Sequence, residues 1–360
     1  MSPNLNHYKA RFLNHLAQDS DIDLTILSGS GRQGMGDSEI EDEWAFNHIK
    51  KSVSKKEFGS SKLIRQFLKQ NFKSYDWVLI PAEKKNIVLF IYALKLRLLN
   101  KKAKLISYNH PILKSGNGTV SILDRIMTKF YYLFFDRIIF YTEASYKLAL
   151  SQNLITKEKA YWANNTIDTD EVKKYYQFKS PDFSYKSIVF IGRMIPSKRI
   201  DLLITYFETL QAKLPNENLK LEVIGDGPEM SLLNEAMKLN QAIISHGILV
   251  DEAKIAPIME RAIFVFIPGH SGLSVNHAFS YGRPYITLEG SSHAPEIDYI
   301  KHGINGYIFK ESFKKHIDII TELITDQNKV NAFCESAHET GEYLSVQKWV
   351  QQIKSSLLHE

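Results

Sequence analysis

Along the first half of the chain, short apolar runs alternate with stretches whose apolar residues recur every three or four positions. The first pattern reads as buried strand and the second as amphipathic helix. Residues 8–17 have helical spacing, and 24–27 form a short strand closed by Ser-Gly-Ser-Gly. Residues 30–45 are polar and glycine-rich and read as loop. Helix 62–72, strand 77–80, helix 86–99, strand 104–107, helix 121–134, strand 137–141 and helix 144–151 follow. The second half repeats the theme with strands at 187–191, 219–224, 242–246, 263–267 and 284–287. Helices fall between them at 201–213, 228–239, 251–262 and 274–281, and a last helix spans 346–358. Such alternation implies parallel sheets with helices on both faces.

A chain of 360 residues fits two domains of ordinary size. Turn residues gather at 163–170 and 178–183, which puts the boundary near 180. The expected fold is therefore α/β, with two doubly wound Rossmann-like domains facing across a cleft. The first covers 1–180, the second 181–345, and a C-terminal helix at 346–360 is free to cross back to the first. Ligands of such sheets sit beyond the carboxyl ends of the strands, here in the cleft. A doubly wound domain opens with a strand, yet the first element is the helix at Tyr8. Either the opening strand is missing or residues 2–6 do its work poorly, and a shortened N-terminus is the expectation.

Composition narrows the picture. The 44% hydrophobic and 24% charged residues are those of a globular protein with a sizeable core. The single cysteine, Cys334, excludes an internal disulfide and a cysteine metal cluster. The densest apolar run, 87–94, is far shorter than the roughly 20 residues that span a bilayer. A cytoplasmic protein is expected. Residues 1–180 hold 28 Lys+Arg against 18 Asp+Glu, and residues 181–360 hold 17 against 22. The basic first half suits an anionic membrane surface, and the aromatic run at 130–135 beside Lys129 suits a membrane interface. It carries no recognisable nucleic-acid reading module, so nucleic acid is not an expected partner.

Three motifs carry chemistry. Ile191-Gly192-Arg193 with Lys198 follows a strand and precedes a helix, so backbone and two cations can approach one anion. Gly225-Asp226-Gly227-Pro228 is a tight turn with proline at the expected first helical position. Pro268-Gly269-His270-Ser271-Gly272-Leu273 is a loop before a helix, with Ser274 expected as its N-cap. Bare N–H groups at such a helix start suit a phosphate. His270, His277 and His293 lack the close spacing of metal ligands, and no metal or other cofactor is expected. The acidic pairs Asp21 with Asp23 and Asp168 with Asp170 read as turns and caps.

In their order over 187–309, these motifs resemble one family. His246-Gly247-Ile248, then Ala278-Phe279-Ser280-Tyr281-Gly282-Arg283-Pro284, Pro295-Glu296-Ile297 and Asn305-Gly306-Tyr307-Ile308-Phe309 complete the series. It is similar to the C-terminal domain of the family 4 glycosyltransferases of the two-Rossmann GT-B fold. Asn6-His7-Tyr8, Ser107 to His110, Tyr141-Thr142-Glu143 and Asn164 to Thr169 resemble that family's O-antigen and capsule members. The resemblance implies retaining transfer of a sugar from a nucleoside-diphosphate donor to a lipid-linked or oligosaccharide acceptor, with no metal required. Arg193 and Lys198 would hold the diphosphate and stabilise its growing charge. His110 would lie near the donor sugar and acceptor, with Asn6 and His7 on the acceptor side. Gly192, Gly269, His270, Gly272, Leu273, Ser274, His277 and Glu296 would line the donor, and Ile248 would meet the base.

The pattern departs from the family at two places. Gly269 and His277 stand where the family has glutamates eight positions apart. His277 keeps hydrogen-bonding capacity for ribose. Gly269 does not, so His270, Asn276, Glu289, His293 and Glu296 become candidates for sugar contacts. A binding or scaffold protein that kept the fold and lost turnover is the alternative. A dinucleotide-dependent dehydrogenase is disfavoured, because Gly225-Asp226-Gly227 lacks the third glycine of that fingerprint.

Overall fold

The computed structural model describes residues 1–30, 43–83, 86–99, 102–113, 120–290, 293–310 and 312–358. Most of the loop expected at 30–45 lies outside them. The chain divides into two compact units. One comprises Met1–Asn165 with Val346–Glu360, the other Thr166–Ser345.

Among the described residues, the first unit pairs β1 (Thr25–Ser28) with β2 (Asn47–Lys50) in parallel. A four-stranded parallel sheet follows in the order β3-β4-β5-β6. Its strands are β3 (Trp77–Leu79), β4 (Lys104–Asn109), β5 (Arg137–Phe140) and β6 (Ala160–Trp162). The first two residues also take part. Ser2 N–H donates to the Leu27 carbonyl at 2.9 Å, and the terminal ammonium donates to the Leu79 carbonyl at 3.0 Å. Ser2 thus forms a parallel bridge with Ser28 where a missing or poor opening strand was expected. β2 is polar and mostly exposed, so it left no apolar run to find.

The C-terminal helix Val346–Leu358 groups with this unit. Trp349 and Ile353 pack with Phe12, Leu16, Ile106 and Ile139. Lys354 pairs with Asp19 at 2.9 Å and Asp21 at 2.6 Å, so Asp21 does structural work. No described helix is long and apolar enough to cross a membrane.

The second unit has a six-stranded, fully parallel sheet. Its strands are β7 (Ser187–Ile191), β8 (Lys220–Ile224), β9 (Ile243–Ser245), β10 (Ala262–Phe266), β11 (Tyr285–Leu288) and β12 (Gly306–Phe309). The order β9-β8-β7-β10-β11-β12 is that of a dinucleotide-type Rossmann sheet. β7 and β10 are buried at every position, as strands covered on both faces must be. Helices Phe313–Thr325 and Gln327–Tyr343, which the sequence reading did not resolve, close this unit.

Residues 166–180, read from sequence as part of the first half, group with this second unit. Asp168 caps the helix Thr169–Tyr175 by accepting from Glu171 N–H at 3.2 Å, as a turn-and-cap reading requires. Arg283 ties the segment down. Its fully buried guanidinium donates to the Met259 and Glu260 carbonyls at 2.8 Å, to Tyr176 Oη at 2.9 Å and to the Lys179 carbonyl at 3.0 Å. Removing it leaves several buried acceptors unsatisfied, each costing about 1–3 kcal/mol. Arg283→Ala is expected to lose about 3 kcal/mol or more of stability in denaturant unfolding and to expose 170–183 to limited proteolysis. A loss under about 1 kcal/mol would contradict this role.

Candidate functional site

Strand order reverses between β7 and β10, and the loops leaving their carboxyl ends diverge at that switch point. After β7 comes Gly192, whose φ of +140° suits glycine. Its N–H donates to the Ile224 carbonyl at 2.9 Å, and Met194 N–H donates to Asp226 O at 2.8 Å. The β8 loop lies close enough that a Cβ on Gly225 would meet Gly192 O at 2.0 Å. This is the work of the glycine turn: it supports the Arg193 loop from below. Pro228 precedes the helix Met230–Leu239 and does not open it as the sequence suggested, because Glu229 takes the cap position.

Pro196–Lys198 then form a 3-10 turn, and Arg199 adopts a left-handed backbone at φ +59°. That conformation costs a non-glycine residue about 1–2 kcal/mol. It turns the chain into the helix Ile200–Lys213. The turn's carbonyls are taken by the β10 loop: His270 N–H donates to Ser197 O at 2.6 Å and Gly269 N–H to Lys198 O at 3.1 Å. A Cβ on Gly269 would lie 2.1 Å from Ser197 O and 2.7 Å from Lys198 C. The position therefore has no room for a side chain, and its glycine serves backbone packing.

Lys198 reaches back over Gly192, with Nζ 3.8 Å from where a Cβ there would stand. Burial of the ammonium lowers its pKa from the ordinary lysine range to about 8. Glu296 opposes that shift and the Arg193 charge adds to it. Arg193 and Glu296 thus both lie within electrostatic reach of Lys198. Glu296 is buried in the turn Pro295–Tyr299.

His293 is a strut. Its Nδ1 accepts from Ser271 N–H at 3.1 Å and its Nε2 donates to Leu288 O at 2.9 Å. Burial holds the ring below the usual histidine range, and the His270 and Lys198 charges push the same way. Ser274 is not the N-cap expected of it. It is the first residue of the seven-residue helix Ser274–Ser280, with Leu273 before it, and its hydroxyl lies 2.9 Å from Tyr285 Oη. Tyr285 in turn donates to Ser271 Oγ at 3.0 Å. Beside Gly272, an added Cβ would meet only Ala294 Cβ at 3.6 Å, so that stretch of loop is open.

His277 is buried, and its Nε2 lies 3.1 Å from Glu252 Oε2. The same carboxylate oxygen accepts from Tyr281 Oη at 2.7 Å. Glu252 starts the helix Glu252–Glu260, 25 positions before its histidine partner. No local pattern could have joined the two. Ile248 is exposed after β9, while Leu249 packs on the core. Asn276 is buried, and Glu289 pairs with Lys310 at 2.8 Å.

The remaining expected residues belong to the first unit. His110 is exposed just after β4, its ring edge-on to Tyr141 at 5.1 Å. Its carbonyl accepts from Tyr132 Oη at 2.9 Å. Asn6 caps the helix His7–Ala17 through Lys9 N–H at 3.1 Å, and His7 is buried beside Tyr8. Among the described residues, no three His, Cys, Asp or Glu side chains converge as metal ligands.

Residues 185–326 match the sequence pattern of a family described as "Glycosyl transferases group 1". A comparison with curated protein sequences finds no match. Among solved structures, Anabaena HepE in complex with UDP superposes with a TM-score of 0.70 at 17% identity, over 99% of this chain and 97% of that one. The lipopolysaccharide outer core galactosyltransferase WaaB superposes with a TM-score of 0.65 at 12% identity, over 99% and 97%. A TarM mutant from S. aureus, in complex with fondaparinux, alpha-GlcNAc-glycerol and UDP, gives 0.58 at 18% identity. The match covers 82% of this chain and 58% of TarM's. The chain therefore has the α/β, two-Rossmann fold of these proteins, and its second unit carries the group 1 glycosyl transferase pattern.

Proposed function

We propose that the chain is a retaining, metal-independent glycosyltransferase of family 4. In this reading it moves a sugar from a nucleoside-diphosphate donor to a lipid-linked saccharide during surface polysaccharide biosynthesis, in the cytoplasm at the inner membrane face. The observation that carries the reading is the pairing of Arg193 with Lys198 beside Gly192, at the switch point of a Rossmann sheet and inside the matched segment. Two cations beside a bare glycine backbone suit a diphosphate, and they stabilise it most as it departs with the glycosidic electrons. UDP is the expected nucleotide, since HepE and TarM are described with it. His110, Asn6 and His7 are assigned to the acceptor side, and Ile248 to the base. The basic first unit is assigned to the anionic membrane.

One feature favours the alternative of a nucleotide-binding protein without turnover: no side chain fits at Gly269, where the family carries an acid. Glu252, joined to His277, brings a carboxylate to the second departing position from another element.

Three measurements test the reading. In a thermal-shift panel of UDP, GDP and TDP, UDP is expected to stabilise the wild type. Arg193→Ala is expected to weaken its binding about 10- to 100-fold, the worth of one charge-assisted contact. Stabilisation by none of the three, or equally in the variant, would sink the assignment, while binding without donor consumption would select the alternative.

The second measurement is a pH series. Between about pH 7 and 8.5 the nucleotide's charge is nearly constant, because its terminal phosphate titrates near about 6 and its uracil N3–H only above that window. Lys198 binds the anion as ammonium, and its depressed pKa of about 8 means the free protein loses that charge early. UDP affinity by calorimetry is therefore expected to fall as pH rises through 8, by up to about tenfold per unit. Lys198→Arg should remain flat across the same window; parallel profiles would show that another group titrates.

Third, Gly269→Glu restores the family residue, yet its Cβ collides with Ser197 O. It is expected to lower the melting temperature and weaken UDP binding. A gain in affinity would show that the loop can yield.

A further inference from the structure

The helix Ile122–Tyr132 in the first unit reverses the polarity of an ordinary surface helix. Its polar residues Asp124 and Thr128 face inward. Asp124 closes a capping box with Ser121, and Thr128 accepts from Leu113 N–H at 3.0 Å while donating to Asp124 O at 2.6 Å. Its apolar residues face out. Ile122, Leu123, Ile126, Met127, Phe130 and Leu133 are between 44% and 79% exposed. At about 100° per residue they share an arc of roughly 140° with no polar side chain among them. Arg125 and Lys129 are exposed along one border of that arc. Lys159 adds a third cation at the far end, donating to Leu133 O at 3.0 Å.

The neighbouring helix Ile87–Leu99 continues the surface. It joins the first through Phe90, whose ring lies 4.1 Å from Tyr131, and through Arg97, which donates to Phe134 O at 3.0 Å. Outward it shows Ile87, Val88 and Ile91, with Lys95 a turn further on. An apolar surface spread over two adjoining helices exceeds what a protein exposes to water without a partner.

We infer that this two-helix face docks on an anionic lipid bilayer. The apolar stripe of Ile122–Tyr132 enters the acyl boundary, and Arg125, Lys129 and Lys95 meet the headgroup phosphates. Charge selects lipid over a second copy of the chain. The acids of these two helices and the turn after them are Asp124 and Asp136. The first is held in its capping box and the second by Arg97 at 2.5 Å. Glu83, exposed just before the helix Ile87–Leu99 and within electrostatic reach of Tyr131, and Glu158, next to Lys159, are the further acids near this face, so Arg125, Lys129, Lys95 and Lys159 outnumber the carboxylates that another copy would present to them. The inference deepens the membrane part of the proposed function, which rested on overall charge, and it is measured separately from nucleotide binding.

The test is co-sedimentation of the full chain with vesicles of phosphatidylcholine alone or with one quarter phosphatidylglycerol. The wild type is expected to bind the anionic vesicles at least tenfold more tightly. Ile126→Glu with Phe130→Glu should lose at least tenfold of that binding, with an unchanged thermal shift on adding UDP and unchanged mass by light scattering. Because Cys334 is the only cysteine and is buried, Met127→Cys can carry an environment-sensitive fluorophore. Its emission should shift to the blue on anionic vesicles. Failure of the wild type to bind, binding that survives the double variant, or an unshifted dye on sedimenting protein would each overturn the inference. So would a wild-type dimer that the double variant dissociates, which would make a second copy the occupant. A lost UDP response with vesicle binding intact would instead count against the sugar-transfer reading alone.

Discussion

The switch-point site depends on the contact of two backbones. Gly269 and His270 donate to the carbonyls of Lys198 and Ser197, and they can do so only because position 269 carries no side chain. That contact fixes the turn at Pro196–Lys198, and the left-handed Arg199 passes the constraint on to the following helix. Lys198 then extends over Gly192, within electrostatic reach of Arg193. The partial burial that results lowers its pKa, and an arriving anion would reverse that cost. A single glycine thus links loop packing to the electrostatics of the site.

Much of this architecture is legible in the chain. Strands such as Ile263 to Ile267 are uniformly apolar because helices cover both faces, and that run is unmistakable. Gly192 and Gly225 also announce themselves, since glycine at a strand's carboxyl end marks close backbone approach. Edges and reversals were hidden. β2 pairs along one side with little burial, so Asn47-His48-Ile49-Lys50 looks like loop. Ser274 has the chemistry of a cap, but the hydroxyl of Tyr285 competes for it from an adjacent strand. Gly269 read as a missing sugar-binding carboxylate. Its packing reason lies seventy residues upstream, beyond any local pattern. The Glu252–His277 pair was hidden for the same reason: its members come from different helices.

The two units divide their labour by charge and surface. The second is slightly acidic overall and concentrates its useful cations at one strand end, where a small anion can be held with specificity. The first is basic and turns apolar residues outward on adjoining helices, a design suited to a broad, fluid partner rather than to a small ligand. Its exposed His110 lies at the carboxyl end of β4, on the edge of the sheet where doubly wound domains bind ligands. The same sheet rule therefore places candidate chemistry in both units.

The central claim is that the loops after β7 and β10 hold a nucleoside diphosphate through Arg193 and Lys198. A crystal structure of the chain with UDP tests it most directly. The account predicts phosphate oxygens within about 3 Å of Lys198 Nζ and of the Arg193 guanidinium, with the Gly269–Lys198 backbone contact preserved. A diphosphate bound elsewhere on the chain, or seated with both cations turned away, would contradict it.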